Sequence, residues 1–281
     1  MAIIFGILVG LALGLTGGGG SAFALPLLIY GLGMATKDAV VVSLAAVALT
    51  SAFGAVTAWR AGLVEWRPGI IFSFTGILGA PLGLAMGKNI PESYLIMGFA
   101  VLALLVAAAM WGKAVRSPAE SAVVRAGIGL GVEGSGAVCS YSPDGMLRFT
   151  ARCSFMLALV GLGTGFLAGL FGVGGGFIIV SALMFITQMR IHQAVATSLF
   201  VITLIGLAGV GSELVQGRAL PWQLTGLFVA GGLVGMGAGR LLARRMAGPT
   251  LQKLFAVAIV VMALFMLAAG LGINPFAATG T

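Results

Sequence analysis

The chain has 281 residues, of which 60% are hydrophobic and only 8% charged, and its mean hydropathy is +1.15. So little polar surface excludes a water-soluble globule, and lipid has to act as the solvent. The formal charge of +8 does not indicate nucleic acid, because the basic residues are scattered through short connections and form no stripe with interleaved aromatics.

Crossing a hydrocarbon core of about 30 Å takes about 20 helical residues. The first apolar region, Ala2 to Met34, is too long for one span and is interrupted by the run Gly17-Gly18-Gly19-Gly20. Its start, MAIIFGILVGLALGL, has neither a basic n-region nor an A-x-A cleavage site and reads as mature structure. Three stretches of span length follow: Val40 to Ala58, Gly69 to Gly87 and Tyr94 to Gly112. The segment Lys113 to Arg152 is rich in charge, Gly, Ser and Pro. It is expected to be an aqueous linker of low order, with room for a short interfacial helix around Ser121 to Gly129. Cys139 and Cys153 lie in or beside it without a CxxC or a nearby histidine, which fits free thiols in a reducing compartment. A second glycine-interrupted region, Ser154 to Met189, precedes three more spans at Ala194 to Gly211, Trp222 to Gly239 and Phe255 to Ile273.

This order repeats. A shift of 155 positions places Gly14 to Gly20 (GLTGGGG) on Gly169 to Gly175 (GLFGVGG), Met34 on Met189 and Ser43-Leu44 on Ser198-Leu199. One residue of slippage then aligns Trp66 with Trp222, and Gly76, Gly79 and Gly83 with Gly232, Gly235 and Gly239. The fold class is therefore an all-α polytopic membrane protein with a first repeat over 1–113, a linker over 114–153 and a second repeat over 154–281. Each repeat holds a glycine-broken helical element and three full spans.

An unbroken helix over each glycine element would be about 50 Å long at 1.5 Å per residue, and glycine weakens helices by about 1 kcal/mol each. The element is either a tilted, broken span or a re-entrant hairpin. Loop charge favours the hairpin. If both elements return to the side they entered, twelve of the fifteen lysines and arginines face one side, including Arg60, Arg67, those of the linker, and Arg240, Arg244 and Arg245. That is a positive-inside asymmetry. It makes the linker cytoplasmic, puts both termini outside, and inverts one repeat against the other, since each has an odd number of spans.

Neither TGGGGS nor FGVGGGF has the Lys-Ser/Thr of a phosphate loop. Glycines can instead expose backbone N–H groups at half-helix N-termini, whose partial positive charge holds an anion at membrane depth without a lysine. The plainer possibility, small residues allowing close helix contact, is preferred for Gly76, Gly79, Gly83, Gly232, Gly235 and Gly239. For Gly17, Gly18, Gly19, Gly20 and Ser21, and for Gly172, Gly174, Gly175 and Gly176, the runs exceed what packing needs and a binding site is expected. Ser43, Thr197 and Ser198 are candidate hydroxyl donors beside them, against the alternative that they bond their own helices. The one histidine, His192, is expected in a solvated loop, and every acid, Glu213 included, in a loop or near a span end. No metal or other cofactor is implied. That leaves an enzyme without a nucleophile and base, so a membrane enzyme is disfavoured; a channel or passive scaffold stays open.

The motifs GLTGGGGSAFALPLLIYGLG and GLFGVGGGFIIVSALMF, each followed by a helix containing Ser-Leu, resemble the TauE/SafE sulfite-exporter family, also called the toluene sulfonate uptake permeases. The first copy keeps the family's proline (Pro26) but has Thr16-Gly17-Gly18 where phenylalanine and a spaced glycine are typical. The second keeps Phe171-Gly172-Val173-Gly174-Gly175-Gly176 and has Ser181 in place of proline. The resemblance implies a monomeric or dimeric carrier of the bacterial inner membrane that moves sulfite, sulfonates or other small sulfur-containing anions; another small anion or an organic acid is the alternative.

Overall fold

The computed structural model describes residues 1–87, 90–116, 140–141, 147–148, 151–171, 176–187, 189, 191–215, 221–245, 250 and helical positions between 253 and 267. Helix α1 (Ala2–Thr16) is 15 residues long, about 22 Å at 1.5 Å per residue, and stops short of a full crossing. Gly17 ends it in the left-handed conformation (φ 72°), with its N–H on Leu13 O at 2.7 Å, a place where only glycine escapes strain. Helix α2 (Gly19–Pro26) then turns back. Gly20 lies against Val9 and Leu13, and Gly31 against the Phe5 ring, so the chain reverses at Gly17-Gly18. Pro26 brings no N–H to the ladder, and a π turn, Leu27–Gly31, follows it directly.

The next helices are α3 (Thr36–Arg60), α4 (Trp66–Gly87) and α5 (Glu92–Arg116). In the linker a two-residue antiparallel ladder joins β1 (Ser140–Tyr141) to β2 (Leu147–Arg148), where no regular structure was expected. The helix foreseen around Ser121 to Gly129 lies outside the described residues. Beyond the linker come α6 (Ala151–Phe171), α7 (Gly176–Thr187), α8 (Ile191–Val215) and α9 (Trp222–Arg245). Among the described residues five helices are long and apolar enough to cross a membrane: Asp38–Arg60, Trp66–Gly87, Ala151–Phe171, His192–Val215 and Trp222–Ala243. Four of these match expected spans. The fifth, Ala151–Phe171, was expected only as one limb of the second glycine element, yet its 21 residues could cross by themselves. The last expected span, Phe255 to Ile273, falls largely outside the described residues.

Two seams hold the helices together, and both are lined by glycine. Helix α1 runs parallel to α9: a Cβ on Gly6, Gly10 or Gly14 would overlap the carbonyl oxygen of Phe228, Gly232 or Met236, while Gly235 and Gly239 meet the carbonyls of Ile7 and Leu11. Helix α6 runs parallel to α4 in the same manner, with Gly165 and Gly169 on the carbonyls of Gly76 and Ala80, and Gly79 and Gly83 on those of Leu162 and Phe166. Lipid offers no hydrophobic drive between helices, so close backbone approach supplies the attraction. The glycines assigned to packing do pack. Between the seams α3 and α8 cross antiparallel, with Gly54 near Leu199 and Gly206 near Ala48. Fully buried Phe72, Phe99 and Phe228 fill the core. Side chains such as Phe74, Leu82, Phe155 and Val234 point outward, as lipid-facing residues do.

Cys153 is disulfide-bonded and fully buried; the sequence has one other cysteine, Cys139. The expectation of a free thiol at Cys153 is therefore corrected. Local spacing held no sign of it, because the pairing is made by proximity in the fold and not by a CxxC.

Candidate functional site

The first glycine break is a buried polar turn. Thr16 Oγ1 donates to Ala12 O at 2.5 Å and accepts the Gly19 N–H at 2.9 Å, which caps the start of α2. Ser21 Oγ donates to Gly18 O at 2.7 Å and accepts the Gly176 N–H at 3.3 Å, the first residue of α7. Gly18 and Gly176 are in backbone contact: a Cβ on Gly176 would lie 2.7 Å from Gly18 O. The N-terminal ends of α2 and α7 thus meet in the interior, with Gly17 through Ser21 and Gly176 all buried.

From α8, the Ser198 hydroxyl reaches the same turn, donating to Gly17 O at 2.9 Å and to Val195 O at 2.8 Å. Val195 packs directly on Gly17, where a Cβ would come within 2.6 Å of its Cγ1. Among the expected site residues, Gly17, Gly18, Gly19, Gly20, Ser21, Gly176 and Ser198 are brought together. Gly172, Gly174 and Gly175 lie outside the described residues. Ser43 is buried on α3 and donates to Val40 O at 2.9 Å. Thr197 faces the other way: its Oγ1 accepts the Glu65 N–H at 3.1 Å, and its methyl lies by Gly69. It fastens α8 to the α3–α4 connection, helped by Gln193 Nε2 on Glu65 Oε1 at 3.3 Å. Adjacent residues on a helix point about 100° apart, so Thr197 and Ser198 cannot both address the turn.

Three polar residues sit differently from expectation. Arg240, counted with the loop charges, belongs to α9, is half-buried, and donates from Nη1 to Gly54 O at 3.2 Å. Glu213 is near the end of α8 as expected, but fully buried. His192 opens α8 and is half-buried, not a solvated loop residue. Thr16 was overlooked: it is the last residue of α1, and its hydroxyl reaches across the turn to the first N–H of α2, where Gly18 at the N-cap position has no side chain to do so.

Chemically, the site is two helix N-termini set end to end with hydroxyls between them. Each terminus carries roughly half a positive charge from its aligned peptide dipoles, and two like ends in contact are stabilised by an anion.

Residues 2–266 match the family described as Sulfite exporter TauE/SafE. Two proteins of Xylella fastidiosa, strains Temecula1 and 9a5c, each called a probable membrane transporter protein, are 33% identical over 268 residues, covering 93% of this chain and 92% of theirs. The probable membrane transporter protein YunE of Bacillus subtilis strain 168 is 25% identical over 188 residues, 66% of this chain and 63% of its own. No solved structure matches the chain. With apolar helices long enough to span and a match along nearly its whole length, the chain belongs to the sulfite exporter TauE/SafE family of multi-pass membrane transporters.

Proposed function

We propose that the chain is a carrier of the bacterial inner membrane for small sulfur-containing oxyanions, sulfite or sulfonates such as sulfoacetate. The solute binds where the two glycine breaks meet, held by backbone N–H groups of α2 and α7 and by the hydroxyls of Ser21 and Ser198, which turn to it from Gly18 O and Gly17 O. The observation that carries this reading is the bond from Gly176 N–H to Ser21 Oγ, which joins the N-terminal ends of both short helices in the buried interior. Two positive helix ends facing one another suit a negatively charged solute.

Two inverted repeats with re-entrant hairpins account for the packing. The contacts of Gly10 on Gly232 and Gly165 on Gly76 are the same contact at sequence-equivalent positions of opposite halves. The antiparallel crossing of α3 and α8 supports inversion, and the return of Gly31 to Phe5 supports a hairpin that leaves by the side it entered. The linker lies on the cytoplasmic face and outside the transport path.

Flux into proteoliposomes tests the function. Labelled sulfite should enter saturably and compete with sulfoacetate; uptake that is linear in concentration and indifferent to competing anions would point to a channel, and no uptake to a different solute.

A further inference from the structure

Arg240 is the charged residue that the backbone-and-hydroxyl site does not use. It falls within the spanning stretch Trp222–Ala243, where an ionisable side chain is expensive and marks function by default. Its position is set by the α1–α9 seam. A Cβ on Gly14, two residues before Thr16, would lie 3.0 Å from the backbone nitrogen of Arg240, so this part of α9 stands level with the last turn of α1, just before the first glycine turn. Its guanidinium reaches across to α3, where Gly54 O accepts from Nη1 and also from Thr57 Oγ1. Gly54 in turn sits 3.0 Å, measured from a Cβ built on it, from Leu199, the neighbour of Ser198.

The other half offers a comparison within the same molecule. Shifted by the register of the glycines, Gly54, Leu199, Met236 and Arg240 correspond to Gly209, Leu44, Ala80 and Leu84. Those four line an apolar cavity of about 30 Å³. In the first half the same space is taken up: the Met236 methyl abuts Gly54 and the Arg240 guanidinium bonds its carbonyl. An arginine thus stands where the equivalent position, in the lining of that cavity, holds a leucine.

We propose that Arg240 is the anion-selecting side chain of the transport path, the fixed positive group that a small oxyanion meets as it enters or leaves the turn at Gly17. A planar guanidinium fork suits an oxyanion better than a point charge does, and the low dielectric around it strengthens the attraction. The inference rests on the functional reading above.

The test compares sulfite uptake by the parent, Arg240→Gln and Arg240→Lys in proteoliposomes, with gel filtration to establish that each is folded. Arg240→Gln should raise the apparent KM roughly ten- to a hundredfold, the scale of a lost hydrogen bond to a charged group, with kcat changed much less and inhibition by sulfoacetate weakened in parallel. Arg240→Lys should recover part of the KM, since it restores charge without the fork. If Arg240→Gln does not fold, Arg240→Lys carries the test alone, and a parental KM in it would count against a fork-dependent contact. A folded Arg240→Gln with the parental KM and parental inhibition overturns the inference and leaves the functional reading standing. A parent that moves no sulfite removes both.

Discussion

Ser198, on α8, donates its hydroxyl to the carbonyl of Gly17 at 2.9 Å, a bond between residues 181 positions apart that fixes the second half of the chain to the first glycine turn. Ser198→Ala removes it without adding bulk. A hydrogen bond is worth about 0.5–1.5 kcal/mol net, so apparent affinity for the solute should fall roughly two- to tenfold while the protein stays folded. Equilibrium binding to purified protein measures it, and parental affinity would mean that this bond has no part in shaping the site.

The turn tolerates no side chain at two points. Gly17 has φ 72° and touches Val195, and Gly176 touches Gly18. Gly17→Val and Gly176→Val should abolish uptake, because each pushes apart the backbone that approaches the solute. Gly163→Ala, on α6 with open space around it, is the control and should transport normally. Uptake by either valine variant at the parental rate would move the site elsewhere.

The seams predict a sharp positional pattern in stability. Gly10→Leu and Gly165→Leu insert a side chain where a carbonyl oxygen already stands, and should cost at least about 3 kcal/mol, beyond the usual range for overpacking. Gly226→Leu and Gly237→Leu face open space on α9 and should be nearly neutral. Thermal unfolding followed by detergent gel filtration separates the two pairs; equal midpoints would refute the seam.

Sidedness and the disulfide can be read together. If the linker is cytoplasmic as proposed, the glutathione pool should hold Cys153 reduced in the cell, and the disulfide seen in the structure should close only on oxidation after lysis. Alkylation of lysed cells before oxidation should modify both cysteines, and alkylation after purification neither. Ala61→Cys should be shielded from an impermeant reagent in intact spheroplasts, and Ala35→Cys labelled. A linker already oxidised in the cell, with the reverse labelling, would overturn the proposed orientation.

Much of the fold was legible because membrane spans announce themselves by length and composition. The spans at α3, α4, α8 and α9 were readable from apolar runs, and the glycines of α4 and α9 were read as packing elements from their spacing of three and four residues. Legible too was the break at Gly17, since consecutive glycines serve no helix. What stayed hidden depended on side-chain direction or distant proximity. Thr197 and Ser198 look alike in sequence, but one helical step sends the first to Glu65 and the second to Gly17. Arg240 looked like a loop charge because charge density rises toward Arg245, and only the contact with Gly54 reveals a helix interior. The disulfide at Cys153 and the full burial of Glu213 likewise left no mark in the residues immediately around them.

The two glycine seams exchange partners: α1 from the first half is fastened to α9 of the second, and α6 of the second to α4 of the first. The piece of chain that looks like a unit in sequence is therefore not the piece that can move as one. Sliding one half past the other would tear both seams open, whereas a rocking motion that spared them would carry α1 with α9 as one lever and α4 with α6 as the other, pivoting where α3 crosses α8. Each lever would be a hybrid of both halves, and neither half, severed at the linker and produced by itself, would possess one.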